Sequence, residues 1–145
     1  MAFSTIPAMF LHVLAMKRPE NKPAFLRKEG ESYVGIGYDE LLRRVELFAA
    51  GLYDRRIRKG DMVGIVAENR LEWVIADLAA TGTGIVDVPV FPTLTAKQEQ
   101  YIFHHCNARA IIVSNQFQLS KILKIRDELP DLRYIIVMNE EVQAE

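Results

Sequence analysis

Four short apolar runs that do not alternate with polar residues constrain the fold of this 145-residue chain more than any other feature. The runs are Met62 to Ala67, Ile85 to Val88, Ala110 to Val113 and Tyr134 to Met138. Such runs are typical of strands buried on both faces, as in parallel sheets. Because helical patterns lie between them, the sequence predicts a doubly wound α/β fold, with a mostly parallel sheet covered by helices on both faces. Pro89 is expected to end the second strand, because proline cannot donate to a ladder.

Capping signals mark where the helices of this pattern begin. Asn69 is the predicted N-cap of one helix, with Glu72 three residues on, as in a variant capping box. Thr95 and Gln98 form a proper capping box, and Asn115 is expected to cap a further helix. The predicted helices cover residues 6–16, about 39–55, 71–81, 95–107 and 115–129.

The N-terminal part of the chain adds a helix and a hairpin to this pattern. Two alternating runs, residues 23–28 and 32–37, flank a turn that contains Gly30, which predicts an antiparallel β-hairpin. The helix before it places its apolar side chains on one face at helical spacing. Those side chains are Ile6, Met9, Phe10, Val13 and Leu14.

Composition excludes several classes of protein. With 18 Lys+Arg against 19 Asp+Glu the net charge is −1, so no summed positive field attracts nucleic acid. The single cysteine, Cys106, fits a reducing compartment. Lys17 and Arg18 follow the N-terminal apolar segment instead of preceding it, and no run reaches the roughly 20 apolar residues of a membrane span. We expect one cytoplasmic unit over residues 1–145, without an internal domain boundary.

An open α/β sheet binds ligands beyond the carboxyl ends of its strands. Here those positions are Glu68 to Arg70, Pro89 to Thr95 and Ser114 to Gln116. No G-x-x-x-x-G-K-[ST] or G-x-G-x-x-G sequence that would cradle a phosphate occurs in the chain. By geometry alone Ser114 to Gln116 is the best candidate anion site, although the capping role of Asn115 already accounts for its residue types.

Other reactive or charged residues have a structural explanation. His104, His105 and Cys106 diverge by about 100° per residue on a helix and cannot converge on one metal ion. Nothing in the sequence places a base beside Cys106, so we expect a structural thiol. The basic run 55–59 could bind phosphate or close a helix with solvated cations, and flanking acids favour the second. Gly82 to Gly84 is expected to end a helix.

Four motifs follow one another along the chain. They are Gly37-Tyr-Asp-Glu-Leu41, Lys59-Gly-Asp-Met-Val63, Glu68-Asn-Arg-Leu-Glu-Trp73 and Val88-Pro-Val-Phe-Pro-Thr-Leu-Thr95. In order and spacing the sequence resembles the adenylate-forming enzymes, specifically their long-chain fatty acid–CoA ligase branch, with its T-Y-x-E-L, G-D-x-V, E-N-R-x-E-W and V-P-x-x-P-T-x-[ST] motifs. The resemblance runs from about Thr5 to Met138 and implies part of the large N-terminal domain of such an enzyme.

The resemblance implies a parent enzyme that activates a fatty acid with ATP and Mg²⁺ to an acyl-adenylate and transfers the acyl group to CoA. The family's phosphate loop ending in P-K-G, its aromatic-G-x-T-E segment, its ribose-binding Asp and its mobile lysine have no counterpart here. We therefore expect an N-terminal scaffold fragment that is inactive alone, with no catalytic, cofactor-binding or metal-binding residue. Asn69, Arg70 and Trp73 are interpreted as capping and packing residues, with substrate or interdomain contact as the alternative.

The implied partners are the remainder of the parent enzyme and its fatty acid substrate. Where the rest of the enzyme would pack, we expect an exposed apolar patch of more than a few hundred Å², through which the fragment self-associates. Two departures from the family pattern have physical consequences. Gly37 replaces a capping Thr, and Arg56 stands where a Gly is common, so a left-handed Arg56 would carry strain of about 1 kcal/mol unless the helix ends differently.

Several alternatives stay open at this point. The parent could activate an aryl, short-chain or amino acid, and peripheral association of the parent with membranes is undecided. The chain could instead be a stand-alone binding module of flavodoxin or receiver shape, or a non-enzymatic interaction protein built from a truncated ligase scaffold.

Overall fold

A hairpin, a parallel sheet and five helices make up the part of the chain that the computed structural model describes, residues 3–139. The helices are α1 (Ile6–Lys17), α2 (Tyr38–Asp54), α3 (Leu71–Thr83), α4 (Ala96–His105) and α5 (Gln116–Ile125), the last followed by a 3₁₀ turn at Arg126–Glu128. The strands are β1 (Phe25–Glu29), β2 (Ser32–Ile36), β3 (Met62–Val66), β4 (Val86–Val90), β5 (Ala110–Val113) and β6 (Tyr134–Val137).

The main sheet contains four parallel strands in the order β4-β3-β5-β6. In register, Ile65 of β3 pairs with Pro89 of β4 on one side and with Ile112 of β5 on the other. The chain therefore moves from β3 to β4, crosses back past β3 to β5, and continues to β6. The predicted doubly wound fold with its antiparallel hairpin is confirmed, and the direction of winding reverses between β3 and β5.

Alternate residues of the central strands pack against helices on opposite faces of the sheet. On one face Ile65 packs in a cluster with Ala76 of α3 and with residues of α2. On the other face Val66 packs with Phe103 of α4 and Ile122 of α5. All of these side chains are almost fully buried. Strands covered in this way on both faces account for the unalternating apolar runs of the sequence.

The hairpin and α1 form a further layer outside α2 and α3. Ile36 of β2 is buried in a cluster with Leu41 of α2 and Leu71 of α3, and Phe10 of α1 and Phe25 of β1 pack against it. The cluster joins the N-terminal elements to α2 and α3, and Phe48 of α2 packs against both this cluster and the core beneath the sheet.

Helix α1 leaves much of its apolar surface exposed. Leu14 is buried and Phe10 is partly buried, whereas Ile6, Met9 and Val13 are 55%, 44% and 38% exposed. The predicted helix is confirmed, but a shared face at helical spacing does not bury all of these side chains. Because α1 is apolar on nearly all sides, helical spacing does not single out one face. Across residues 3–139, no helix has both the length and the apolar character needed to cross a membrane.

Two of the predicted caps are confirmed by hydrogen bonds. The Thr95 backbone N–H donates to the Gln98 side-chain oxygen at 2.9 Å, and the Gln98 backbone N–H donates to the Thr95 hydroxyl at 3.4 Å, which completes the capping box. At the start of α5 the Asn115 side chain accepts from the Gln118 N–H at 3.1 Å. These bonds satisfy N–H groups that a helix start leaves free.

The prediction that Asn69 caps α3 is wrong. The N-cap is Arg70, in extended backbone with φ −155°, and it makes no side-chain capping bond. Glu72 does not complete a capping box either, because its carboxylate accepts from the Arg70 Nε at 2.7 Å. An ion pair has replaced the expected backbone cap at this helix start.

The prediction that Pro89 ends the second strand is also wrong, because β4 continues through Pro89 to Val90. β4 lies at the edge of the sheet. The Val86 N–H donates to the Asp61 carbonyl before β3. Because every second N–H of a strand points to the same side, the N–H groups of Val88 and Val90 also face β3. The nitrogen of Pro89 faces away from β3, where a missing donor leaves no ladder bond unmade.

Left-handed residues follow three of the helices, at Arg56 after α2, Gly84 after α3 and Asn107 after α4. Arg56, which follows the C-cap Arg55, has φ 60°, so the conformation that was expected to carry about 1 kcal/mol of strain is present. Gly84 caps the C-terminus of α3 with φ 75°, as predicted for Gly82 to Gly84. At the start of α2 Gly37 is the N-cap, without a side-chain bond.

Candidate functional site

The carboxyl ends of β3 and β5 form the candidate site, because the chain leaves these neighbouring strands toward opposite faces of the sheet. The Ser114 N–H after β5 donates to the carbonyl of Val66 at the end of β3, at 3.1 Å. The Gln118 side chain in the first turn of α5 donates to the Pro92 carbonyl after β4, at 3.1 Å. The three segments that the sequence predicts at this edge are thus brought together. We call this place the β3/β5 crevice.

Glu68 is the central charged residue of the β3/β5 crevice. One of its carboxylate oxygens, Oε1, accepts from the side-chain amides of Asn115 and Gln118, each at 3.4 Å. The pKa of Glu68 lies below its ordinary value, mainly because the Ser114 hydroxyl stabilises the charged form, with smaller contributions from backbone N–H and the two amides. Glu68 therefore places a negative charge at the start of α5.

This charge changes the interpretation of Ser114 to Gln116 as an anion site. The N-terminus of α5 is already capped by the Asn115 side chain, and the same side chain donates to the Glu68 carboxylate. A second anion at this helix start would meet both a filled cap and a like charge. The capping explanation of these residues is confirmed, and the crevice does not suit a phosphate.

Arg70 links the segment after β3 to the segments after β5 and β6. Its Nη1 donates to the Ser114 carbonyl at 3.3 Å and to the Asn139 side-chain oxygen at 3.0 Å, while its Nε is paired with Glu72. Desolvation raises the pKa of Glu72, but the Arg70 pair outweighs it and the pKa lies below its ordinary value. Arg70 is therefore a bridging residue, and interpreting it as a packing residue is consistent with these contacts.

A buried ion pair supports the loop after β4, and the sequence analysis did not identify it. Lys121 of α5 binds Glu99 of α4, and the lysine also donates to the carbonyls of Pro92 at 3.1 Å and Leu94 at 2.8 Å. Glu99 is 0% exposed, and burial raises its pKa while Lys121 opposes the rise. Helical periodicity is the sequence signal that could have identified the lysine, because Lys121 shares the inner face of α5 with Ile122 and Ile125.

The other candidates of the sequence lie away from the crevice. His104 and His105 end α4, where the His105 ring stacks on Tyr101. The Cys106 thiol is half-buried beside the Phe103 carbonyl, and burial raises its pKa, as expected of a structural thiol. Over residues 3–139, no three His, Cys, Asp or Glu side chains are grouped to hold a metal ion.

The basic run 55–59 lies at the opposite, amino end of the sheet. The Arg58 guanidinium stacks on the Tyr53 ring at 3.7 Å and donates to the Tyr53 carbonyl in the last turn of α2. Arg55 donates to the Gly51 carbonyl at 3.2 Å. Both arginines thus bind carbonyls at the negative end of the helix, which supports the helix-closing explanation.

Two open clefts flank α3. One, of about 800 Å³, lies between the hairpin and the start of α3, and Asn69, Arg70 and Trp73 contribute to its wall. Trp73 also packs against the core between the sheet and α2, so its packing role is confirmed. The second cleft, of about 590 Å³, is lined by apolar side chains of α2, α3, β5 and β6, with Arg27, Arg44 and Glu72 beside them.

Comparison with known proteins gives one family and consistent relatives. The model of the AMP-binding enzyme family matches residues 12–145. A long-chain-fatty-acid–CoA ligase, ACSBG2, of Xenopus laevis is 29% identical over 143 residues, which cover 97% of this chain and 19% of its own length. Long-chain-fatty-acid–CoA ligase 6 of Mus musculus is 32% identical over 116 residues, covering 77% of this chain and 17% of its own. The chain spans about a fifth of the length of these curated relatives.

Solved structures show the same fold. A long-chain-fatty-acid–CoA ligase of Archaeoglobus fulgidus superimposes with a TM-score of 0.80 at 18% identity, over 98% of this chain and 29% of its own. Acetoacetyl-CoA synthetase of Streptomyces lividans superimposes with a TM-score of 0.79 at 26% identity, over 94% of this chain and 23% of its own.

Proposed function

Because this chain belongs to the AMP-binding enzyme family, we propose that it is the N-terminal scaffold of an ATP-dependent ligase that joins long-chain fatty acids to CoA. The observation that carries the proposal is the match over residues 12–145, together with relatives named as long-chain-fatty-acid–CoA ligases. The four sequence motifs fall at turns into or out of the strands and helices of the sheet, which supports a shared framework with these relatives.

Within that enzyme, this chain contributes framework and no catalytic group. Phosphoryl and adenylyl chemistry needs donors and cations that stabilise developing negative charge. The β3/β5 crevice offers the opposite arrangement, because Glu68 is ionised there and the α5 N-terminus is capped by Asn115. The residues present do not fit the phosphates of ATP, and the described residues hold no acidic cluster for Mg²⁺. ATP, Mg²⁺ and CoA are therefore assigned to the rest of the enzyme.

Activation of a shorter acid is the second candidate. It is favoured by the likeness to acetoacetyl-CoA synthetase of Streptomyces lividans, which at 26% identity is comparable to the curated long-chain relatives. The apolar cleft beside β6 supports neither acid over the other, because its walls belong to the framework.

The coding sequence that follows Glu145 provides the first test. We expect a Thr/Ser/Gly-rich segment ending in Pro-Lys-Gly to be encoded downstream, and a stop codon directly after Glu145 would contradict the proposal. The second test is ATP–pyrophosphate exchange. Residues 1–145 alone should show no exchange with any fatty acid, and the longer gene product should show exchange that depends on a long-chain acid. Exchange only with acetate or acetoacetate would select the second candidate.

A further inference from the structure

Strand β6 forms one edge of the main sheet, but its side chains are those of an interior strand. Within residues 3–139 it pairs with β5 alone. Tyr134 and Ile136 pack against the core beside α2 and α3, and Ile135 and Val137 pack against the core beside α4 and α5. All four side chains remain half-exposed, whereas the four residues of β5 are buried. The outer side of β6 therefore lacks the neighbour that a strand apolar on both faces requires.

The other edge strand, β4, is built differently. It carries the carboxyl group of Asp87, and Pro89 gives it a position without a donor. Charged residues and proline are common means of keeping an edge strand from pairing. The described strand β6 contains neither, so its outer rim is open to a further strand.

Backbone groups of β6 are available on this rim. The Ser114 N–H donates to β3, so the preceding residue, Val113, points its N–H and its carbonyl toward β6. The Val113 carbonyl accepts from the Met138 N–H at 2.9 Å. Because N–H groups alternate along a strand, those of Ile135 and Val137 point away from β5, toward the side where residues 3–139 provide no strand.

An open apolar cleft continues from this rim. It has a volume of about 590 Å³, and Phe48 of α2 lines it together with Ile136 and Met138. Leu47, which also lines the cleft, is 59% exposed. Apolar surface beside an unpaired strand favours cover by a further polypeptide segment, because the segment removes that surface from water while it completes the ladder.

The course of the chain indicates where such a segment comes from. Asn139 follows β6 directly, and its side-chain oxygen accepts from Arg70 at 3.0 Å. The chain places β6 outside β5, and strands that are consecutive in sequence are usually neighbours in space. The chain spans about a fifth of the length of its curated relatives, and the proposed function places more polypeptide after it.

A second copy of this chain is a poorer occupant of the rim. Through its own β6 it would bring a strand of four residues. A stable interface between two proteins buries about 1,200–2,000 Å², which two paired strands of this length do not approach. A segment of the same polypeptide needs no such area, because the covalent connection holds it close to the rim.

We infer that the outer rim of β6 receives a further strand from the polypeptide that follows this chain in the larger enzyme, and that this strand covers the cleft beside Leu47 and Ile136. The inference rests on the proposed function, since that function requires a longer polypeptide. It assigns a defined role to β6, which joins this scaffold to the rest of the enzyme as an interior strand of a larger sheet.

The test is hydrogen exchange, followed by mass spectrometry, of residues 1–145 and of the longer gene product. The amides of Ile135 and Val137 should exchange rapidly in residues 1–145 and at least about tenfold more slowly in the longer product, because the added strand binds them. The amide of Ile112, in the buried strand β5, is the internal control and should be protected in both proteins.

The variant Val137→Pro tests whether this protection comes from strand pairing and not from simple coverage. It removes an outward N–H and leaves the bonds to β5 in place, as Pro89 does in β4 for the bonds to β3. Val137→Ala is the matched control, because it trims the side chain and keeps the N–H. In the longer product the proline variant should lose the protection of Ile135, and the alanine variant should keep it. This comparison does not require residues 1–145 to fold alone.

Three results would overturn the inference. The first is equal exchange of Ile135 and Val137 in the two proteins, and the second is full protection of Ile135 in the Val137→Pro variant of the longer product. The third is protection in residues 1–145 that rises with protein concentration, which would assign the rim to a second copy. A longer product that catalyses ATP–pyrophosphate exchange but leaves both amides unprotected would refute this inference alone, whereas a stop codon directly after Glu145 would refute the proposed function as well.

Discussion

Gly64 of β3 lies directly against the ring of Phe103 of α4: a Cβ added to Gly64 would stand 2.9 Å from Cζ and nearer still to Cε1. Both residues belong to the face of the sheet that α4 and α5 cover. The close approach of helix and strand at this point therefore requires a residue without a side chain.

Substituting Gly64→Ala should destabilise the fold by about 1–3 kcal/mol, since the Phe103 ring is fully buried and must shift to admit a methyl group. Urea unfolding followed by circular dichroism measures the loss. The matched control is Gly82→Ala in α3, where an added Cβ meets nothing within 4 Å. Alanine at Gly82 should stabilise by up to about 1 kcal/mol, and equal effects at the two positions would contradict the packing argument.

Removing the lysine of the buried ion pair should be more costly than removing both partners. Lys121→Met leaves Glu99 buried without a counter-charge and should destabilise by about 3–5 kcal/mol. The double variant Lys121→Met/Glu99→Leu should recover much of that loss. Both free energies of unfolding come from urea titration. The deficit of the single variant should shrink from pH 8 to pH 5, because a buried unpaired carboxyl takes up a proton more readily. A deficit that does not change with pH would count against this account.

Asp77 of α3 and Asp87 of β4 should make stability depend on pH. Burial and the neighbouring Asp87 carboxyl raise the pKa of Asp77 from 3.8 to about 6. The folded state therefore binds a proton that the unfolded state releases, and this contribution is complete below about pH 4 and is lost as pH rises through 6. Because Asp77 is only partly buried, solvent screens part of this effect and we expect about 1 kcal/mol.

The variant Asp77→Asn isolates this contribution. The free energy of unfolding of this variant minus that of the wild type should be about 1 kcal/mol larger at pH 8 than at pH 4.5, because only the wild type loses the contribution of the bound proton. Gly82→Ala in α3 serves as the control, since it removes no titratable group, and its difference curve should be flat with pH. A flat curve for Asp77→Asn would show that neither burial nor the neighbouring carboxyl raises the pKa of Asp77.

Self-association of residues 1–145 is expected through α1. The exposed side of this helix carries Ile6, Met9 and Met16, which are 55%, 44% and 59% exposed, and apolar surface of this kind promotes association. Sedimentation velocity should show a dimer or larger species at micromolar concentration. Met9→Glu together with Met16→Glu should restore the monomer, whereas Glu46→Gln should not. A wild-type chain that sediments as a monomer at all concentrations contradicts the expectation.

The sequence predicts the framework well where local chemistry decides. Buried strands, Thr95 and Asn115 caps and the Gly84 helix end follow from patterns that span a few residues. The outcome at Pro89 depends on which strand lies at the edge, a property of strand order that no local pattern contains. The exposed side of α1 has the same origin, because the helix is apolar on several sides and tertiary contacts choose one.

The candidate site was harder to predict, because its contacts join distant parts of the chain. Glu68 and Gln118 are 50 positions apart, and the Arg70 and Asn139 side chains are 69 positions apart. The rule that an open α/β sheet binds ligands beyond the carboxyl ends of its strands indicates the correct three segments. It does not say that a carboxylate lies between them. Only the side-chain contacts show that Glu68 places a negative charge at the start of α5 and that this helix start is already filled.

The outward-facing nitrogen of Pro89 also bears on how this chain can misassemble. A foreign strand that adds to the rim of β4 would find a gap in the row of donors, so a continuous cross-molecular ladder cannot form there. The rim of β6, with the sequence Tyr-Ile-Ile-Val, has no such gap. The β4 rim of the described sheet therefore resists edge-to-edge pairing because of a single imino acid.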